Sequence, residues 1–420
     1  MKTLLPLKRL IDPSRPITYG IVQAGPDVDG GIRYIRPVDM SGHGGVADPS
    51  ELRTTSHEIA AQYRRSSVRS GDIVVSIGPS YGKTMVVPAE LDGANLTQGT
   101  ARVAPARNVD TGYLRWALRS RLAIAHWDAS VGGATFRALN LAPLAETPIP
   151  LRGLAEQRAI ADYLDAETAR IDALIAKKQQ LIHLLEERRV ESIRSVVSGA
   201  GQPGERWRPG PVWSLSIPLS WSPKKIAWVK RTGSGTTPAS GDERFYAEEG
   251  TPWVTTSELR ERRINTTNKF ITEEALLAHS ALEVFPAGTV LIAMYGATVG
   301  RLGRLRVAAT TNQACCALYG GRGLDQSFLY WWLWAYRKEI IDLSYGAGQP
   351  NISQETIRSL RIPAPDLEAQ GEVANACERI SRSSEVLHDR VSRQIDLLVE
   401  HRQALITAAM TGEFAAPGAA

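Results

Sequence analysis

Apolar positions between 160 and 192 recur at alternating steps of four and three. The series runs from Ile160 through Leu164, Glu167, Ile171, Leu174, Lys178, Leu181 and Leu185 to Arg188 and Ser192, with Ile175 and Ile182 widening the stripe. Such spacing predicts an amphipathic helix with a heptad-like seam. The seam returns 213 positions later, the offset between Pro150 and Pro363: Val373, Cys377, Ile380, Ser384, Leu387, Val391, Gln394, Leu398, His401 and Leu405. Neither seam contains Gly or Pro, and each stretch closes on a glycine, Gly199 and Gly412. Two seams of equal length and phase predict two helices that pack on each other as a coiled-coil spacer, each about 40 residues and about 60 Å long at 1.5 Å per residue.

Outside the helices the pattern changes to short β-rich runs punctuated by glycine. Ile73-Val74-Val75-Ser76-Ile77 and Met85-Val86-Val87 are strands in the first half, and Val290-Leu291-Ile292-Ala293 follows the same grammar in the second. Thr97-Gln98-Gly99 is matched by Asn312-Gln313-Ala314. One globular-plus-helix plan is therefore used twice: a globular module over 1–150, a helical stretch over 151–199, a connector over 200–216, a second globular module over 217–360, a second helical stretch over 361–413, and a disordered tail over 414–420. This is an α+β chain with an internal repeat too long for a solenoid unit of about 20–50 residues. A duplicated protein suggests a target with two halves.

The charge balance sharpens this picture. The helical stretches 156–197 and 366–410 hold 7 and 5 Lys+Arg against 8 and 8 Asp+Glu, or −4 together; with +5 for the whole chain, the remainder holds +9. The globular modules thus carry the positive charge, as surfaces that meet a polyanion do. The three cysteines, Cys315, Cys316 and Cys377, form no C-x-x-C pair and are expected as reduced, apolar residues of a cytoplasmic protein. No apolar run approaches a membrane span.

Catalytic chemistry is hard to place. Gly78-Pro79-Ser80-Tyr81-Gly82-Lys83-Thr84 imitates a phosphate loop but has three residues between its glycines where four are needed, and a strand follows it rather than a helix. A strand-to-strand turn is the expectation. The seven histidines have no metal-ligand spacing, and no nucleophile elbow or paired-carboxylate signature is present. No catalytic, metal or cofactor site is expected. What clusters instead are hydrogen-bonding side chains: Tyr19, Arg33, Tyr34, Arg36, Ser76 and Lys83 in the first module, and Thr236, Thr237, Thr255, Thr256, Lys269, Tyr295, Arg301, Gln349 and Asn351 in the second. Such groups can read base edges and hold phosphates of duplex DNA. Trp331, Trp332 and Trp334 read as core.

Several runs together carry a family resemblance: Ile149-Pro150, Leu154-Ala155-Glu156-Gln157-Arg158-Ala159-Ile160, Ile171-Asp172-Ala173-Leu174-Ile175, Thr236-Thr237-Pro238, Pro252-Trp253-Val254, Tyr295-Gly296-Ala297-Thr298-Val299-Gly300, Thr311-Asn312-Gln313-Ala314 and Pro350-Asn351-Ile352-Ser353. Over nearly its whole length the chain resembles the specificity subunits of type I restriction-modification systems. The resemblance implies two α/β target recognition domains, each reading one half of a split DNA sequence, held apart by two long conserved helices in an antiparallel coiled coil. It also implies a non-catalytic subunit without a cofactor of its own. The expected partners are double-stranded DNA, modification subunits that use S-adenosylmethionine to methylate adenine, and restriction subunits that use ATP and Mg to translocate and cut DNA. The second helix departs from the pattern, with Ala369 in place of the usual Glu and Gly371 in its first turn; the first module has Gly133–Asn140 in place of Pro-Asn-Ile-Ser. Competing readings are a specificity component of a methylation-only or other phage-defence complex, a nucleotide hydrolase built on Gly78–Thr84, and a coiled-coil scaffold.

Overall fold

The structure is a computed structural model and describes residues 3–41, 48–78, 80–131, 138–200, 206–207, 213, 217–345 and 350–414. Most of the connector over 200–216, most of the tail over 414–420, Gln349 and Gly133–Arg137 lie outside the described residues. The chain divides into two compact units. One comprises Met1–Gln179 with Ser392–Ala420, the other Gln180–Val391. Each unit therefore contains one globular module and a segment from each of the two long helices, Leu154–Val197 and Leu367–Thr411.

The repeat is visible in the sheets. In the first module a four-stranded sheet orders Thr18–Tyr19, Thr100–Val103, Ile73–Ser76 and Thr84–Val86; in the second, Arg231–Gly233, Cys315–Tyr319, Val290–Ala293 and Leu302–Leu305 follow in the same order, and Arg262–Ile264 adds a fifth strand at the edge. A smaller sheet repeats as well. Ile32–Ile35 runs parallel to Asn95–Leu96 and antiparallel to Thr54–Thr55, as Thr251–Val254 runs parallel to Thr310–Thr311 and antiparallel to Phe270–Ile271. The strands Ile73–Ser76 and Val290–Ala293 are fully buried, which explains why they read as continuous apolar runs rather than alternating ones. The segment Gly78–Thr84 joins two antiparallel strands, Val75 pairing with Thr84, so it is a hairpin turn without the helix a phosphate loop requires.

Helices close each module over its sheet. Thr111–Arg119 corresponds to Gln326–Ala335, whose Trp331 and Trp332 are buried in the core of the second module. In each copy the glutamine near the start of the long helix makes the same pair of bonds. Gln157 accepts from the Asp110 N–H at 2.8 Å and donates to the Arg152 carbonyl at 2.9 Å; Gln370 accepts from the Asp325 N–H at 2.7 Å and donates to the Pro365 carbonyl at 2.8 Å. Asp110 and Asp325 cap the helices that follow them. Gly199 and Gly412, both at φ +74°, terminate the long helices in the left-handed conformation that glycine adopts without penalty.

In the first unit Ile160 and Leu164 share a core with Ile406, Ala409 and Met410. Asp172 is ion-paired with Arg402, and Lys178 Nζ donates to Gln394 Oε1 at 2.6 Å, so the helix segments run antiparallel. In the second unit Arg189 donates to Ser381 at 2.7 Å and to Glu385 at 3.1 Å, and Ile193 and Val197 share a core with Val373, Ala374 and Cys377. That pairing is antiparallel too.

The seam differs from the expectation in one respect. Ile160, Leu164, Ile171, Val373 and Val391 are buried, and Leu185, Ile380, Leu398 and Leu405 are half-buried, but Leu174, Leu181 and Leu387 are 44%, 43% and 45% exposed. The inward positions of the first helix are instead Thr168, Ile175 and Ile182, each four residues after a shared seam position rather than three. Among the described residues no helix is long and apolar enough to cross a membrane.

Candidate nucleic-acid interface

In the first module the strand Thr18–Tyr19 continues into Gly20, whose missing side chain lets the backbone close on the next strand. A Cβ there would lie 1.9 Å from the Leu96 carbonyl oxygen. A groove of about 710 Å³ is lined by Tyr19, Tyr34, Arg36, Gly78, Gln98 and Asn140 among others. Arg36 is held by Asp39, which accepts from Nε at 3.0 Å, from Nη2 at 2.7 Å and from the Arg36 backbone N–H at 2.8 Å. The hydrogen bond to Asp39 raises the guanidinium pKa further, so Arg36 is a fixed cation at the groove.

The other expected residues of this module are placed differently. Ser76 is fully buried, and its hydroxyl accepts from the Lys83 N–H at 2.9 Å. Lys83 turns its ammonium onto the carbonyls of Pro37 at 3.1 Å and Met40 at 2.9 Å, tying down a loop. Arg33 is exposed, next to Tyr34 in the strand but, by strand alternation, on the opposite face. The structure thus brings together Tyr19, Tyr34 and Arg36, and makes Ser76 and Lys83 supports.

The second module repeats the construction. Gly235 packs so closely that a Cβ would lie 1.7 Å from the Thr311 carbonyl oxygen. Around it gather the Thr236–Pro238 segment, bonded through its carbonyls to Trp253 Nε1 at 3.1 Å and to the Tyr246 hydroxyl at 2.8 Å, and Lys269, whose ammonium stands 5.8 Å from the centre of the Tyr246 ring. Thr255 and Thr256 follow the strand Thr251–Val254 and begin a short turn that Glu258 closes by accepting from the Thr255 N–H at 2.9 Å. Tyr295 forms a backbone bridge with Asn351, and Arg301 sits half-buried after Gly300 at the base of the same hairpin. The buried amide oxygens of Asn312 and Asn351 have no hydrogen-bond partner among the described residues.

Two residues absent from the sequence expectation stand out. Gln98 and Gln313 are exposed, on loops held in the same way in both modules. The Ile77 N–H donates to Gly99 O and the Met294 N–H to Ala314 O, both at 2.8 Å. The matching Thr97-Gln98-Gly99 and Asn312-Gln313-Ala314 runs were the signal for them.

Among the described residues no cluster of His, Cys, Asp or Glu could hold a metal ion. The three thiols are buried, and burial pushes Cys316 and Cys377 up to about 12 and Cys315 higher still, so none is nucleophilic at neutral pH.

The sequence profile of the type I restriction modification DNA specificity domain matches residues 23–184 and again 218–395. The specificity subunit of the type I restriction enzyme EcoBI of Escherichia coli is 31% identical over 169 residues, 40% of this chain and 35% of that protein. The MjaIX specificity subunit of Methanocaldococcus jannaschii is 27% identical over 163 residues, 38% of this chain and 37% of that protein. The aligned stretches therefore span little more than a third of these relatives. Among solved structures, a chain from work on complex assembly and conformational transition of the type I R-M system superposes with a TM-score of 0.76 at 19% identity, covering 98% of both chains. The HsdS subunit from Thermoanaerobacter tengcongensis gives 0.55 at 20% identity, covering 98% of this chain and 97% of that one. At such identities the likeness is one of fold.

Proposed function

The chain belongs to the type I restriction modification DNA specificity domain family, which it matches twice, and from that membership we propose that it is the non-catalytic, DNA-reading specificity subunit of a cytoplasmic restriction-modification complex. Each globular module reads one half of a bipartite duplex sequence. Phosphates are met by the positively charged modules, and base edges by the hydroxyl, amide and guanidinium groups at the closely packed strand ends. Modification subunits carrying S-adenosylmethionine then methylate adenine where this chain has docked, and restriction subunits using ATP and Mg cleave sites left unmethylated. The observation that carries the reading is the duplication itself: the two modules share a strand order, and each presents a loop cluster built around a glycine no other residue could replace.

Sequencing the methylome of a host that expresses the chain with its modification partner tests the proposal. A methylated motif of two short specified sequences separated by an unspecified spacer is expected. A continuous motif, or methylation identical in a host lacking the chain, would contradict it.

A further inference from the structure

We infer that Gln98 and Gln313 make one and the same contact, a sequence-independent hydrogen bond from the side-chain amide to the DNA backbone, so that each module is set on the duplex in the same way before its remaining side chains read bases. The inference rests on the reading of the chain as a DNA-binding subunit. It starts from the superposable bonding of the two loops. Leu139 N–H donates to Ile77 O at 2.7 Å where Ile352 N–H donates to Met294 O at 2.9 Å, and Ile77 and Met294 donate in turn to Gly99 and Ala314. Ile35 lies beside Leu96 as Val254 lies beside Thr311, in parallel register. These bonds place Gln98 and Gln313 at equivalent points, both exposed.

Apart from the close-packed glycines Gly20 and Gly235, the side chains at equivalent points around the two loops differ. Val22 corresponds to Thr237, Arg36 to Thr255, Gly78 to Tyr295 and Ala138 to Asn351. A side chain that reads a base is free to vary between modules that read different half-sites. One held constant among changing neighbours must meet something that both half-sites offer, and every duplex offers its phosphates whatever its sequence. The amide geometry agrees. Thr237 donates to Gln313 Oε1 at 2.7 Å, which leaves the NH₂ donors as the part of the amide that Thr237 does not engage. In the first module the apolar Val22 stands in place of that threonine, so what the two glutamines share is the donor.

The test uses the full chain assembled with its modification subunits and two duplexes, one carrying the motif found by methylome sequencing and one with both half-sites scrambled. Gln98→Ala and Gln313→Ala are each expected to weaken binding to both duplexes by the same factor, about tenfold for a lost hydrogen bond to a charged group, with the ratio between duplexes unchanged. Gln98→Lys and Gln313→Lys should restore affinity and steepen the dependence of log K on log salt by about 0.9 each, which a misfolded variant would not do. Weakening confined to the specific duplex would make these residues base readers and overturn the inference, as would unchanged affinity in the alanine variants. If the unaltered complex bound neither duplex, the reading of the chain as a DNA-binding subunit would fall, and this inference with it.

Discussion

Gln157 and Gln370 use both ends of the amide in the same way, and both are buried, at 4% and 0% exposure. Removing either side chain leaves a backbone N–H and a carbonyl without their partner at the partly buried joint between a globular module and its helix. Gln157→Ala and Gln370→Ala should each cost about 2 kcal/mol, seen as a lower midpoint in thermal denaturation; a change within about 0.5 kcal/mol would show the bonds to be replaceable by water. Gln157 follows Ile149-Pro150 as Gln370 follows Ile362-Pro363, at the same offset of 213 that relates Pro150 to Pro363. The sequence could not show their partners, because Asp110 and Asp325 lie 47 and 45 residues away and only the folded module brings them to the helix. The candidate site was legible to the same limited degree. Tyr19, Tyr34 and Arg36 line one groove, whereas Ser76 and Lys83 are consumed by internal bonds that polar character alone does not reveal.

At the scale of elements, the two long helices were the most legible part of the chain, because a seam sustained over some thirty residues leaves few alternatives. Which side of the seam faces inward was not. Leu174 and Ile175, like Leu181 and Ile182, are adjacent apolar residues, and only the packing partner decides between them. Leu174→Lys and Leu181→Lys should therefore leave the isolated chain within about 0.5 kcal/mol of its original stability, while Ile171→Ala, at 7% exposure, should cost about 2 kcal/mol or more. Equal losses measured by chemical denaturation would restore the original seam. Gly371 gives an opposite expectation. It lies in the first turns of Leu367–Thr411, and a Cβ there would meet nothing within 4 Å. Gly371→Ala should stabilise the chain by about 0.5–1 kcal/mol through helix propensity and a less free unfolded state, read as a higher midpoint of denaturation; a lower one would reveal a need for glycine that the packing does not show.

For the molecule as a whole, the repeat predicts two separable functions of its parts: the modules determine what is read, and the helices determine how far apart. Inserting four residues after both Lys178 and Val391 adds about 6 Å to each helix at 1.5 Å per residue, close to one helical turn, so each seam keeps nearly the same face. The methylated motif should then keep both half-sites and gain one or two base pairs of unread spacer; an active complex with the original spacer would show that the helices do not set the distance. If the modules read independently, replacing residues 217–360 by the corresponding module of a relative will show it in the methylome. One half of the methylated motif should change to that read by the donor module while the other half stays as it was. A motif in which both halves changed, or neither, would contradict the account.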